Sequence, residues 1–124
     1  MTDNLTGLIW LRNANCFAMR LWTTALDDCD TLASGSCGLS DGSGAGQWRL
    51  PGRNELASLL DLSQANPALP SGHPFTSVQN SYYWSSTSRS GPPGNIWCVD
   101  FNVGGIGYGA DAYSAYVLPV RDGQ

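Results

Sequence analysis

The groups in this sequence that could do chemistry are few: Cys16, Cys29, Cys37, Cys98, one histidine, His73, and one glutamate, Glu55. Zinc sites need ligands paired at short spacing, as in C-x-x-C. No C-x-x-C occurs and His73 sits in a Pro/Gly loop, so no zinc centre is expected. Nucleophilic catalysis needs a nucleophile with a base in reach. No convincing pair is visible, and Glu55 reads as a charge in the first turn of a helix, where the dipole favours it. Asn95, Asp100, Asn102 and Asp111 offer oxygen ligands suited to calcium. Such residues in loops are usually turn formers, and the E-P-N and W-N-D signatures of calcium-dependent animal lectins are absent. We therefore expect neither catalysis nor a cofactor. The four cysteines allow three pairings. In a small, Gly-rich, charge-poor chain they fit an oxidising compartment, with free buried thiols as the alternative.

The elements that must position any site follow from length and pattern. The 124 residues suit one domain, 1–124, with one hydrophobic core. Only 13% are charged and 42% are apolar, which points to a globular chain. The cations are all arginine (Arg12, Arg20, Arg49, Arg53, Arg89 and Arg121), scattered along a chain of net charge -4. A nucleic-acid groove needs clustered cations, so no nucleic-acid partner is expected. No apolar run approaches the ~20 residues of a membrane span, so no membrane insertion is expected. The start, MTDNLTGL, shows no signal peptide, which is compatible with an excised domain.

GLIWL at 7–11 predicts a strand. LWTTALDDCDTLA predicts a helix with a Thr24/Asp27 capping box and an inner stripe of Trp22, Leu26, Cys29 and Leu32. PGRNELASLLDL predicts a second helix starting at Pro51, with Leu56, Leu59 and Leu60 buried. The long stretch 63–81 should be pinned by Leu69, Phe75 and Val78. YYWSST at 82–87, NIWCVDF at 95–101, a short run near Ile106 to Tyr108, and AYVLPVR at 115–121 predict strands. In WCVDF, alternation puts Trp97, Val99 and Phe101 on a core face, and Cys98 and Asp100 on a face that can meet solvent. The fold class is α+β, two helices packed on antiparallel sheet.

The ordered blocks TDNLTGLIWLRNANC, WTTALDDC, GQWRLPGRNELASLLD, ALPSGHPF, YYWSST, IWCVDF and YVLPVRDGQ resemble the bacterial and phage domains named for the C-terminal domain of a Legionella collagen-like adhesin, over nearly the whole chain. The resemblance implies a C-type-lectin-like fold related to that of the formylglycine-generating enzyme. That enzyme binds copper through cysteines, but the cysteines here show no recurring spacing. It also implies core packing for Trp10, Trp22, Trp48, Trp84 and Trp97, and a Cys16–Cys37 bond, which would leave Cys29–Cys98 as the second pair. Some relatives are adhesins for sulfated glycans. Others are variable proteins of diversity-generating retroelements, whose mutagenised adenines cannot yield Lys, Glu, Gln, Met or Trp in the rewritten segment.

Residues 98–116 contain none of those five types. Their Tyr, Gly, Ser, Asn and Asp content is also the mixture that antibody paratopes use. We expect a framework over about 1–94, a variable ligand-binding segment over about 95–116, and a terminal strand over 115–121. The candidate contacts are Asp100, Asn102, Val103, Ile106, Tyr108, Ala110, Asp111, Ala112, Tyr113 and Ser114, with Ser88, Arg89 and Asn95 at the rim and Tyr116 as framework. The expected partner is a protein or glycan on a cell or virus surface, and the expected setting is extracellular, cell-surface or virion-displayed. The alternative is a fixed surface for acidic glycans, to which only Arg12, Arg20, Arg53 and Arg89 could contribute. No coiled-coil or collagen segment is present to set an oligomeric state.

Overall fold

The structure, a computed structural model, describes residues 8–33, 35, 37, 42, 44–61, 63–65, 67–69, 75–88, 95–110 and 114–121; at Ser88 and Ala110 it describes the backbone only. The order is β1 (Ile9–Trp10), β2 (Arg20–Leu21), α1 (Trp22–Thr31), α2 (Arg53–Ala57), β3 (Tyr82–Ser88), β4 (Asn95–Asp100), β5 (Ile106–Ala110), β6 (Ser114–Ala115) and β7 (Val120–Arg121). All strand pairs are antiparallel: β1 with β7, β2 with β6, and a sheet in the order β3-β4-β5. The fold is α+β as expected, although two short strands precede the helices and pair with the C-terminal segment.

The β3-β4-β5 sheet is covered on both faces. Register places Tyr83 opposite Val99, and these pack with Leu56 and Leu59 from α2 and the turn after it. On the other face Trp84 lies opposite Cys98, and these pack with Ala25 and Cys29 of α1. The expectation that the Cys98 face of β4 meets solvent is therefore corrected. Ile96 and Cys98 are as buried as Val99, because strands between two helices obey no wet-face alternation.

The helix boundaries also shift. α1 starts at Trp22 with Leu21 as N-cap and no side-chain cap, so Thr24 and Asp27 lie inside it rather than forming a capping box. Two anchors fix that earlier start: Leu21 is held extended opposite Ser114, and the Trp22 indole donates to the Ser85 carbonyl at 3.0 Å. α2 ends at Ala57. Leu59 and Leu60 close the last turn by donating to Leu56 and Ala57, so Leu59 is buried from outside the helix. Pro51 precedes the N-cap, Gly52.

β3 carries a bulge between Trp84 and Ser88. Its small hydroxyl residues satisfy the disrupted ladder. The buried Ser85 hydroxyl donates to Trp97 O at 2.7 Å and accepts from Thr87 N at 3.1 Å, while Thr87 Oγ1 accepts from Arg53 N at 3.1 Å. Leu69 and Phe75 pin the long preceding loop as expected, with Val78 packed against them.

The expected terminal strand over 115–121 is instead two short strands joined by the half-buried Tyr116 and the buried Val117, Leu118 and Pro119. Trp10, Trp48 and Trp84 are core residues, whereas Trp22 and Trp97 are half-buried.

Cys16 and Cys37 are bonded, 21 residues apart, around α1. The Cys29–Cys98 pairing is corrected: both are free and buried. They sit in one apolar cluster as small hydrophobes, and Cys98 Sγ donates to the Ile96 carbonyl of its own strand at 3.6 Å. Closing a 21-residue loop is worth about 3 kcal/mol by chain entropy. The double variant C16S/C37S should therefore unfold in urea with about that loss of stability, and adding reductant should cost it nothing further.

Candidate functional site

The candidate segment is built on the β4-β5 hairpin. Its turn is made by backbone and one carboxylate. Asp100 N donates to Gly105 O at 2.8 Å, Gly104 N donates to Asp100 O at 2.9 Å, and Asp100 Oδ1 accepts from Asn102 N at 2.9 Å. Gly104 has φ +89°, a left-handed conformation that a side chain would strain. The Asp100 carboxylate thus holds the turn, and Asn102 is half-buried, its Oδ1 enclosed with no hydrogen-bond partner among the described residues.

The remaining sequence-selected residues fall into three groups. Val103, Ile106 and Tyr108 are exposed large side chains, at 59%, 49% and 54%. Ser114 is exposed on β6, and Asn95 is half-buried where β4 begins, opposite Ala110. Arg89, Asp111, Ala112 and Tyr113 lie outside the described residues, as do the side chains of Ser88 and Ala110. Tyr116 is half-buried, its ring 5.6 Å from that of Tyr83.

Two further groups join the surface that the sequence alone did not mark. On the α2 face, Tyr108 meets the Trp97 ring edge-on at 6.0 Å, and the Arg53 guanidinium lies 4.7 Å over the same indole. On the opposite face, the exposed ring of Tyr82 reaches across β4 to Gly107, where an added Cβ would stand 3.2 Å from its Cε1. A side chain at position 107 would thus crowd the Tyr82 ring, which would have to give by a few tenths of an ångström. Nothing in YYW says which of three aromatics turns outward, so Tyr82 was not legible as a surface residue.

Two electrostatic features support the framework beneath. The Arg49 guanidinium grips Glu55 in a bidentate pair, 2.7 and 2.9 Å. Glu55 also accepts from Gly52 N at 2.7 Å, capping α2. The Arg49 bond holds the Glu55 carboxyl below its ordinary range, with partial burial opposing and the Gly52 N–H and Arg49 charge assisting. The two free thiols are disabled: burial, with the Asp28 charge adding, pushes Cys29 up to about 12. Burial takes Cys98 to about 11, partly offset by the Gly109 N–H.

With this geometry in place, the comparison with known families is specific. Residues 1–121 match the family model described as the Lcl C-terminal domain. No curated protein matches the chain.

Because the folded-state pKa of Glu55 is lowered, its contribution to stability is complete above the ordinary value of 4.5 and is lost as pH falls through the lowered value. Glu55→Gln should therefore lower the melting temperature at pH 7 and flatten the acid limb below pH 4.5; an unchanged acid limb would assign the pH dependence elsewhere. Native protein at pH 8 should also take up no iodoacetamide at Cys29 or Cys98, whereas both should label once the chain is unfolded, by mass.

Proposed function

We propose that this chain, which belongs to the Lcl C-terminal domain family, is a non-catalytic ligand-binding domain of C-type-lectin-like fold. It displays a Tyr/Gly/Ser-rich surface from its C-terminal hairpin to a macromolecule, a protein or glycan of a cell or virus surface. The observation that carries this reading is the division within residues 95–116. Val103, Ile106, Tyr108 and Ser114 are exposed, while Ile96, Cys98, Val99, Phe101 and Ala115 are buried in the framework. Exposed apolar and aromatic groups gathered on one hairpin mark interaction surfaces. Tyr108 is the proposed anchor, a rigid ring with a polar tip whose immobilisation costs little entropy.

The finer form of the proposal is that this is the variable protein of a diversity-generating retroelement, with the exposed positions rewritten and the buried ones kept. The absence of Lys, Glu, Gln, Met and Trp from 98–116 supports it. The Cys16–Cys37 bond supports an extracellular, cell-surface or virion-displayed setting. A fixed surface for acidic glycans is less well supported, because Arg20 is engaged with Asp28 at 3.1 Å and Arg53 lies on Trp97.

A substitution scan tests the division. Asp, Ser or Asn at positions 103, 106, 108 and 114 should each change unfolding free energy by about 0.5 kcal/mol or less, as open surface sites do. Phe101→Ala should cost about 3–5 kcal/mol. Destabilisation at the first set comparable to that of Phe101→Ala would remove the display reading. Neighbouring DNA carrying a near-copy of codons 98–116 beside a reverse transcriptase gene would establish the finer form, and salt-sensitive retention on heparin would favour the glycan reading instead.

A further inference from the structure

On the other face of the edge strand β5 from Ile106 and Tyr108, beside the exposed Ser114 and Tyr82, lies a cleft of about 160 Å³ between β3, β5 and β6. Burial orders its lining. Trp84 and Cys98, at 1% and 4% exposure, form the floor, whereas Tyr82, at 47%, stands at the mouth and the β5 strand at Tyr108 borders it. Gly109 leaves one wall without a side chain, and Ser114 brings a hydroxyl to the rim. The floor is held rigidly: the Trp84 indole donates to Arg20 O at 2.7 Å and the Cys98 thiol to Ile96 O at 3.6 Å. Neither floor group therefore turns a free donor toward an occupant.

Resting on the reading that this surface takes a macromolecular ligand, we propose that the cleft is the anchor pocket of that surface, and that it receives one uncharged aromatic side chain of a protein partner. Three observations choose the occupant. The volume is that of a single ring, since a buried apolar cavity of about 150 Å³ accepts benzene. Among the described residues no carboxylate or cation lines the cleft, so a charged tip would be desolvated with none of them opposite it. The hydroxyls available, on Tyr82 and Ser114, belong to residues exposed at the mouth, where a phenolic oxygen would emerge. Aromatic side chains that fill desolvated pockets at the centre of a contact are the groups that dominate binding energy.

The residues at 109 and 114 then decide which ring enters, and position 107 governs the mouth through the Tyr82 ring it supports. A small change on the diversified side of the cleft would alter its shape without touching the floor.

The test uses the intact chain and needs no natural partner. Titration with p-cresol and, separately, with N-acetyltyrosine amide is followed by the amide resonances of Gly109, Ser114 and Ala115 and the indole N–H of Trp84. We expect saturable shifts from both, none from n-butylammonium or methyl β-galactoside, and at least a tenfold loss of affinity in Gly109→Val. Ser114→Leu, which fills the mouth from another strand, should give the same loss and guards against misfolding of the glycine variant. Absence of saturable shifts, shifts from the sugar alone, binding of p-cresol without the amino-acid amide, or full affinity in both variants would each overturn the proposal. Failure here with a tolerant substitution scan would leave the display surface standing, whereas ring binding with an intolerant scan would sink the display surface and keep the cleft.

Discussion

The rest of the fold depends on one constraint: the segment from Tyr116 to Arg121 is half-buried at its ends and buried from Val117 to Val120 without being a continuous strand, so its backbone groups must find partners one by one. They find them across the whole chain. Tyr116 N donates to Tyr82 O at 3.1 Å and Tyr116 O accepts from Trp84 N at 3.0 Å. Pro119, which has no N–H to satisfy, accepts from Leu11 N at 3.0 Å. Val120 exchanges two bonds with Arg49, at 2.8 and 2.9 Å, and lies opposite Trp10. Arg121 rests its guanidinium 5.5 Å from the Trp48 ring. The segments WRLP and VLPVR are thus two halves of one joint. Arg49 then reaches from that joint to Glu55 and fixes the start of α2. Residues 116–121 thus tie the framework together although they follow closely on the exposed Ser114.

Between joint and surface stands the β3 bulge. A regular strand would have carried the Trp84 ladder straight to Ser88. The extra residues instead bring Ser85 O to the Trp22 indole, Ser86 N to Pro51 O at 2.8 Å and Thr87 Oγ1 to Arg53 N. The two helices are thereby hydrogen-bonded to one strand from opposite faces. Tyr83, fully buried one residue before Trp84, locks the other end: its hydroxyl donates to Ala14 O at 2.6 Å and accepts from Gln79 N at 3.0 Å. Burial is what raises its pKa to about 12, and both bonds are satisfied in the neutral form.

Much of this was legible in the residues. Runs such as YYWSST and NIWCVD are strands because β-branched and aromatic residues between Gly and Pro punctuation leave little else. Leu69 and Phe75 had to bury, since a long loop without apolar anchors would not hold. Exposure of Ile106 and Tyr108 goes with the glycines at 105, 107 and 109 that alternate with them and give the opposite face of the segment no packing group. What escaped the sequence is what depends on the second covering layer. Cys98 reads as a solvent-facing position only if one face of the sheet is wet, and α1 makes that premise false. Leu59 and Leu60 continue the helical spacing, yet the chain has already left α-helix for a tighter turn. Tyr82, in a run of three aromatics, declares its direction only through the register with Asp100.

The exposed hairpin also bears on how far such a surface can vary. An edge strand carrying Ile and Tyr outward invites unwanted association, and proteins usually blunt such edges with charge or proline. Here glycines at 105, 107 and 109 alternate with the outward groups, and the only charge of the hairpin, Asp100, is used in the turn. On the proposed reading, an apolar edge kept in that state is the one that meets the partner. The inward groups Val99 and Phe101 belong to the cluster containing Tyr83, Leu118 and Val120, so their cost of change is set by the joint. Val99 and Ile106 are register partners on one face, so the two sets are separated by strand, β4 in the core and β5 at the end of the sheet, and that is what would let neighbouring residues answer to different demands.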